Sequence, residues 1–319
     1  VWLEPNHAAE FEMARLPKNL DQVWDSLQAE GVDMVAQPSE GRRKKMLLAD
    51  MDSTMIRQEC VDELAEEAGV GEAVSAITKR AMNGELDFEG ALIERVGLLK
   101  GLAEDTIATV LSDRITPMPG GATLVATMKA HGARAVLVSG GFVSFTSVIA
   151  ERLGFDEHRA NTLLAENGVL TGDVARPILG RDAKVQALDE ISARLGLTAE
   201  DVLAIGDGAN DLGMIERAGT GVAVHAKPSV QAAARHRINH GDLTAILYLQ
   251  GYSRDAFVTA ADKRRSGSVK AHLSLSRTAA SSRSAWANSW ISATALVQLV
   301  WMRKRAKSQV IRSGGFSSA

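Results

Sequence analysis

Lys44-Lys45-Met46-Leu47-Leu48-Ala49-Asp50-Met51-Asp52-Ser53-Thr54 is the stretch that decides the fold. An uncharged, mostly apolar run, Met46 to Ala49, ends abruptly in two carboxylates one residue apart. A short apolar run bounded by polar residues reads as a buried strand, and parallel strands covered on both faces show no polar alternation. Acids just beyond the carboxyl end of such a strand sit where open α/β sheets bind ligands. There they repel each other unless a cation or a proton intervenes. A calcium loop of the EF-hand type fails, because its sixth and twelfth positions, counted from Asp50, hold Met55 and Val61 instead of Gly and Glu. A plain helix start with Asp52, Ser53 or Thr54 as N-cap stays open on this stretch alone.

Outward from it the chain reads as alternating helix and strand. Arg134–Val138 and Val202–Ile205 are further buried strands, stopping at Ser139-Gly140-Gly141 and at Gly206-Asp207-Gly208-Ala209-Asn210-Asp211. Gly221–Val224 is a short strand, and Thr162–Val174 carries an Asn-Gly hairpin signal. Helices are expected over 120–131, 142–153, 182–195 and 212–218. Between Ile56 and Ile115 no strand interrupts a run of helical segments at about 58–68, 72–82, 88–99 and 102–111. The expected architecture is α/β: a doubly wound parallel sheet with a small helical cap, about 57–116, inserted after the first strand.

The ends differ from the middle. Residues 1–43 read as an N-terminal remnant and linker, with a helix near Leu20–Leu27, a short strand at Val32–Val35 and breakers at Pro38–Gly41. Residues 44–252 form the expected catalytic domain. Residues 253–319 are rich in Ser, Ala and Arg, with Asp255 and Asp262 the only acids, and read as a disordered basic tail. Trp286–Met302 is uncharged but too short and too polar for a membrane helix. A formal charge of −3 over 319 residues gives no basic excess pointing to nucleic acid. The single cysteine, Cys60, rules out an internal disulfide, and residues 1–20 lack the pattern of a secretory leader; both suit a cytoplasmic protein. Self-association is left open.

In a doubly wound sheet the strand ends converge on one crevice. Asp50, Asp52, Asp207 and Asp211 would meet there, and several carboxylates with all-oxygen ligands call for a divalent cation, Mg²⁺ by preference. Ser139, the Gly140-Gly141 turn, Asn210 and Lys184 are what a phosphate needs. Together they suggest phosphoryl transfer, with Asp50 attacking phosphorus and Asp52 serving as acid and base. Singly each piece has a plainer reading: a tight turn, a solvated lysine, a turn dipeptide, surface charges at Glu59 and Arg95. Their order and placement make the set coherent.

The chain resembles the haloacid dehalogenase superfamily of phosphotransferases, within it the branch that acts on phosphoserine. The resemblance rests on Asp50–Thr54, Gln58–Leu64, Ala81–Gly84 with Phe88, Arg95-Val96, Val138–Phe142, Ala160-Asn161 and Gly206–Asp211, and covers about residues 45–252. It implies a Rossmannoid core with a mobile cap, and hydrolysis of O-phospho-L-serine to L-serine and phosphate, the last step of serine synthesis. It further implies an aspartyl-phosphate on Asp50 and acid/base work by Asp52. Mg²⁺ would be held by the Asp50 and Asp207 side chains and the Asp52 carbonyl, with Asp211 in support. Ser139, Gly140, Lys184 and Asn210 would bind phosphate, Glu59 and Arg95 the amino acid head, and Met82 and Phe88 would line the cap. A rival within the class is transfer to another hydroxyl, such as that of homoserine. A non-catalytic phospho-ligand sensor fits poorly with an intact Asp50/Asp52 pair. Many relatives carry a regulatory domain of the ACT type before the catalytic domain, and residues 1–43 look too short for one.

Overall fold

The computed structural model describes residues 1–82, 85–259 and 297–303. An N-terminal unit contains β1 (Trp2–Glu4), β2 (Ala8–Met13), α1 (Leu20–Ala29) and β3 (Val32–Pro38). The core opens with β4 (Met46–Ala49), followed by cap helices α2 (Cys60–Glu67), α3 (Gly71–Met82), α4 (Phe88–Gly97) and α5 (Thr106–Asp113). Then come α6 (Gly121–Ala130), β5 (Arg134–Phe142), α7 (Val143–Leu153), β6 (Glu157–Asn161) and a hairpin of β7 (Leu163–Glu166) and β8 (Val169–Val174). The second half comprises α8 (Arg181–Arg194), β9 (Val202–Gly206), α9 (Leu212–Arg217), β10 (Thr220–Val224), α10 (Pro228–Ala233), β11 (His236–Ile238) and α11 (Ala245–Leu249). A last strand, β12, spans Val297–Arg303.

The central sheet has six parallel strands in the order β11-β10-β9-β4-β5-β6. From β4 the chain winds outward through β5 and β6, then returns to the other side of β4 and winds outward again. The expected doubly wound sheet is therefore present, with its reversal beside β4. Met46 to Ala49 are fully buried, as are Val202 to Ile205, and this is why both segments are continuous apolar runs. Leu47, Ala49, Leu203 and Ile205 face one core cluster; Met46, Leu48, Val202 and Ala204 face the other.

The cap follows β4, as expected. Asn167 and Gly168 make the hairpin turn with φ of 52° and 78°, the left-handed pair a two-residue hairpin needs. This hairpin braces the cap: Leu170 N–H donates to Leu102 O at 2.8 Å, and Gly101 N–H donates to Leu170 O at 2.8 Å.

The ends depart from expectation. Residues 1–43 hold the expected helix and strand, α1 and β3, together with two strands that were not expected, β1 and β2. The N-terminal strands join β12 in a second sheet, ordered β1-β2-β12-β3, with β12 antiparallel to both neighbours. Residues 253–259 and 297–303 therefore do not belong to a disordered tail. Val300, Met302 and Phe257 are all buried in the main core. Most of Trp286–Met302 lies outside the described residues, but its last six residues belong to β12. The N-terminal unit is anchored to the catalytic sheet by buried Asp33, whose carboxylate accepts the backbone N–H groups of Asn239, His240 and Gly241 at 2.8, 3.0 and 2.7 Å. Among the described residues no helix is long and apolar enough to cross a membrane.

Candidate active site

The site is built where β4 and β9 run side by side. Ala49 lies opposite Ile205, and Asp50 N–H donates to Ile205 O at 3.0 Å, which brings Asp50 next to Asp207. Past Asp50 the chain winds tightly: the Met51 carbonyl accepts from the N–H groups of Thr54, Met55 and Ile56 at 3.3, 2.8 and 3.0 Å. Ser53 takes a left-handed φ of 55°, costly for a residue with a Cβ and the kind of strain that gathers at functional sites. The winding turns Asp52 toward β5. Its Oδ1 accepts from Cys60 N–H at 2.9 Å and its Oδ2 from the Ser139 hydroxyl at 3.1 Å. A Cβ at Gly141 would stand 2.7 Å from Asp52 Oδ2, so a side chain there would displace the Asp52 carboxylate.

Lys184, 2% exposed, reaches in from α8 and donates to Asp50 Oδ1 and to Asp211 Oδ1, each at 2.6 Å. The other Asp211 oxygen accepts the N–H groups of Asp207 and Gly208 at 3.2 and 2.9 Å. Thr54 donates to Asp207 Oδ1 at 2.9 Å. Carboxylate oxygens of Asp50, Asp207 and Asp211 lie within 4.8 Å of one another. Asp211 has both oxygens engaged, whereas Asp50 Oδ2 and Asp207 Oδ2 accept no hydrogen bond among the described residues.

The electrostatics are those of a pocket short of positive charge. Burial, then repulsion from Asp211, pushes the Asp50 carboxyl well up, against the pull of Lys184. Burial and Asp211 likewise push Asp207 up to about 6. Burial also raises Asp52, although its bonds from Cys60 and Ser139 pull the other way. Burial works against the Lys184 ammonium, but Asp211 and Asp50 outweigh it and hold it above its ordinary value. A divalent cation among these oxygens would relieve the repulsion, so the donor set fits one.

The cavity above this cluster holds 440 Å³, and residues of α2, α3 and α4 of the cap form part of its wall. Glu59, at the start of α2, accepts from the Ser53 hydroxyl at 2.6 Å. Its side chain is open to the cavity yet enclosed by it. Enclosure, then the nearby Asp52, pushes its carboxyl up to about 7. Arg95, on α4, donates from Nε to Ala91 O at 3.1 Å, while its two terminal nitrogens make no bond among the described residues. Asp62 is near enough to Arg95 to feel its charge. Phe88 stands over the Gly140 turn, where an added Cβ would meet its ring at 2.7 Å.

The cavity wall thus brings together Asp50, Asp52, Glu59, Phe88, Arg95, Ser139, Gly140, Asp207 and Asn210 from the expected set. Lys184 and Asp211 lie beneath it, Lys184 bonded to both Asp50 and Asp211. Met82 ends α3, and its side chain lies outside the described residues. Sequence reading assigned no role to Thr54, Asp62, Thr78 or Lys227. Thr54 holds Asp207, and the other three line the cavity. Lys227 had one available signal, its place just past the carboxyl end of a core strand, β10.

A sequence profile for haloacid dehalogenase-like hydrolases matches residues 47–216. Phosphoserine phosphatase of Archaeoglobus fulgidus is 44% identical over 218 residues, covering 68% of this chain and 63% of that protein, so the chain spans less than two thirds of this relative. The phosphoserine phosphatase of Albidiferax ferrireducens is 45% identical over 210 residues, covering 64% of this chain and 89% of that one. A solved phosphoserine phosphatase structure, of a phospho-aspartyl intermediate analogue, is 42% identical with a TM-score of 0.61, over 65% of this chain and 98% of that one. The matched profile spans the strands that carry Asp50, Ser139 and Asp207, and on these grounds the chain belongs to the haloacid dehalogenase-like hydrolase family.

Proposed function

We propose that this chain is a Mg²⁺-dependent phosphatase that hydrolyses O-phospho-L-serine to L-serine and phosphate. The observation that carries the reading is Arg95. A guanidinium with both terminal nitrogens uncommitted sits in the same 440 Å³ cavity as the Asp50/Asp52 pair. That fork suits a carboxylate bidentately, and Glu59 suits an ammonium. The phosphoryl group lies between Asp50, Lys184, Ser139, the Gly140 N–H and Asn210.

Asp50 Oδ2, the oxygen not engaged by Lys184, attacks phosphorus. The bond from phosphorus to the seryl oxygen breaks as the protonated Asp52 gives its proton to that oxygen, and serine leaves. Asp52 then takes a proton from a water that attacks the aspartyl-phosphate, which releases phosphate and restores the Asp50 carboxylate. The raised position of Asp52 favours its protonated form at the start of the cycle. Mg²⁺, held by the Asp50 and Asp207 carboxylates and the Asp52 carbonyl with Asp211 fixing Lys184 and the Asp207 loop, would neutralise charge on the phosphoryl oxygens. Phe88 closes the cap over the serine and excludes bulk water. The single buried cysteine is in keeping with a cytoplasmic setting.

The test is phosphate release from O-phospho-L-serine, with Mg²⁺ and with excess chelator, beside an aryl phosphate at equal concentration. Fast, metal-dependent release favouring phosphoserine is expected. Preference for the aryl phosphate would overturn the substrate, and chelator-resistant release would overturn the metal.

A further inference from the structure

At the amino ends of β4, β9, β10 and β11, the opposite end of the sheet from Asp50, lies a second cavity of 390 Å³. The sheet separates it from the active site by about 13 Å, the rise of a four-residue strand. Its walls are the loop before β4, the turn before β9 and the start of β11. Five cationic side chains, Arg42, Arg43, Lys44, Lys45 and Arg235, face three carboxylates, Glu40, Glu200 and Asp201.

Three of those cations are already engaged. Arg42 pairs with Glu10 at 2.8 Å, and Lys45 pairs with Asp201 at 2.9 Å. Arg43 donates to Gly251 O and lies over the Tyr252 ring, 4.4 Å from its centroid. Two cations remain, Arg235 and Lys44. Arg235 makes no hydrogen bond or ion pair among the described residues. Lys44, 9% exposed, uses one of its three ammonium donors, on Glu200 O at 2.8 Å. His236, 6% exposed, lines the cavity, and neither ring nitrogen has a hydrogen-bond partner among the described residues.

The imidazole and the ammonium thus keep hydrogen-bonding capacity that no protein group fills, and both line the same cavity. We propose that this cavity is a second ligand site that takes a small tetrahedral oxyanion of the sulfate or phosphate class, held by Lys44, Arg235 and His236. The site is independent of the phosphatase reading, because none of these residues takes part in it. Burial, then the neighbouring cations Arg235, Lys44 and Arg237, pulls the His236 imidazole down to about 4, and burial pulls Lys44 below its ordinary value. Glu200 and Asp201, on the turn before β9, are the acids that raise Lys44, and Asp201 is engaged by Lys45. An incoming oxyanion offsets the cationic neighbours, so His236 takes up a proton as it binds and donates to the anion.

The experiment follows the His236 Cε1–H resonance by NMR in the full chain, over pH 3.5–7.5, with and without sulfate. With sulfate its midpoint is expected to rise by at least about one pH unit. Arg235→Ala, which removes an exposed side chain with no bonds, is expected to weaken sulfate about tenfold in that readout while turnover without sulfate is unchanged. Sulfate in the active-site cradle does not touch His236, so catalytic inhibition by sulfate does not mimic the result. A His236 midpoint unmoved by sulfate, or moved equally in Arg235→Ala, would overturn the site.

Discussion

Removing the Arg95 fork is the sharpest probe of what the cap recognises. In Arg95→Ala the cavity loses the two terminal guanidinium nitrogens that are free to meet a carboxylate, and one Nε bond to Ala91 O on its own helix. Two charge-assisted hydrogen bonds at about 1.5 kcal/mol each, the lower end of their range because the site is wet when open, come to ~3 kcal/mol. That converts to about 150-fold in kcat/KM at 1.36 kcal/mol per tenfold. The lost bond to a helix carbonyl that is already engaged costs stability little, so the melting temperature should move by no more than a few degrees. An aryl phosphate has no carboxylate to lose and should fall less than about threefold. Arg95→Lys should lie between, keeping the charge and losing the fork. The assay is initial-rate phosphate release from both substrates under identical Mg²⁺. Equal losses on the two substrates would mean that Arg95 shapes the cap without reading the amino acid head, and the substrate reading would lose its main support.

Asp50→Asn should lower turnover by at least about 10⁴-fold while the melting temperature holds, because Lys184 keeps its partner Asp211 and one source of carboxylate repulsion disappears; single-turnover rates and calorimetry check this, and near-wild-type turnover would refute nucleophilic attack by Asp50. The Asp207 carboxyl is raised by folding from 3.8 to about 6, so the stability it contributes is full below about pH 4 and is lost as pH rises through about 6. Chelated protein should therefore melt at lower temperature at pH 8 than at pH 5, and added Mg²⁺ should reverse that slope; a metal-free melting temperature that rises over this range would contradict it. Ending the chain at residue 259 removes β12, whose Val300 and Met302 are buried at 0% and 1% exposure. At about 2 kcal/mol for each side chain the loss is ~4 kcal/mol, mostly in the N-terminal sheet. Limited proteolysis should then cut within residues 1–43 while phosphate release persists, and undiminished protection would show that β12 does not hold that sheet together.

What was legible in the sequence follows the chemistry of burial. β4, β9 and the first half of β5 are covered on both faces, so they appear as unbroken apolar runs and their carboxyl ends mark the site. Edge strands carry no such mark. β6 reads Glu-His-Arg-Ala-Asn and β11 reads His-Arg-Ile; each is a strand only because β5 or β10 offers an open edge. The N-terminal sheet was hidden for another reason: its central partner, β12, lies more than 250 residues away along the chain, and no local pattern reports a pairing of that range. In the site itself, residue types and strand ends gave the members but not their bonds. That Lys184 spans Asp50 and Asp211, and that Thr54 rather than a lysine steadies Asp207, depends on side-chain geometry across three separate elements.

That geometry also divides the labour among the acids. Asp211 accepts from Lys184 and from two backbone N–H groups, which commits both of its oxygens to holding neighbouring groups in place. Asp50 keeps one oxygen free on the side away from Lys184, the condition a nucleophile must meet. Asp52 is held from two sides, by Cys60 on the cap and Ser139 on the core. The group that moves the proton in the proposed mechanism is therefore held from both the cap and the core. The proposed mechanism therefore ties proton transfer to the position of the cap, because the Cys60 bond to Asp52 crosses from one to the other.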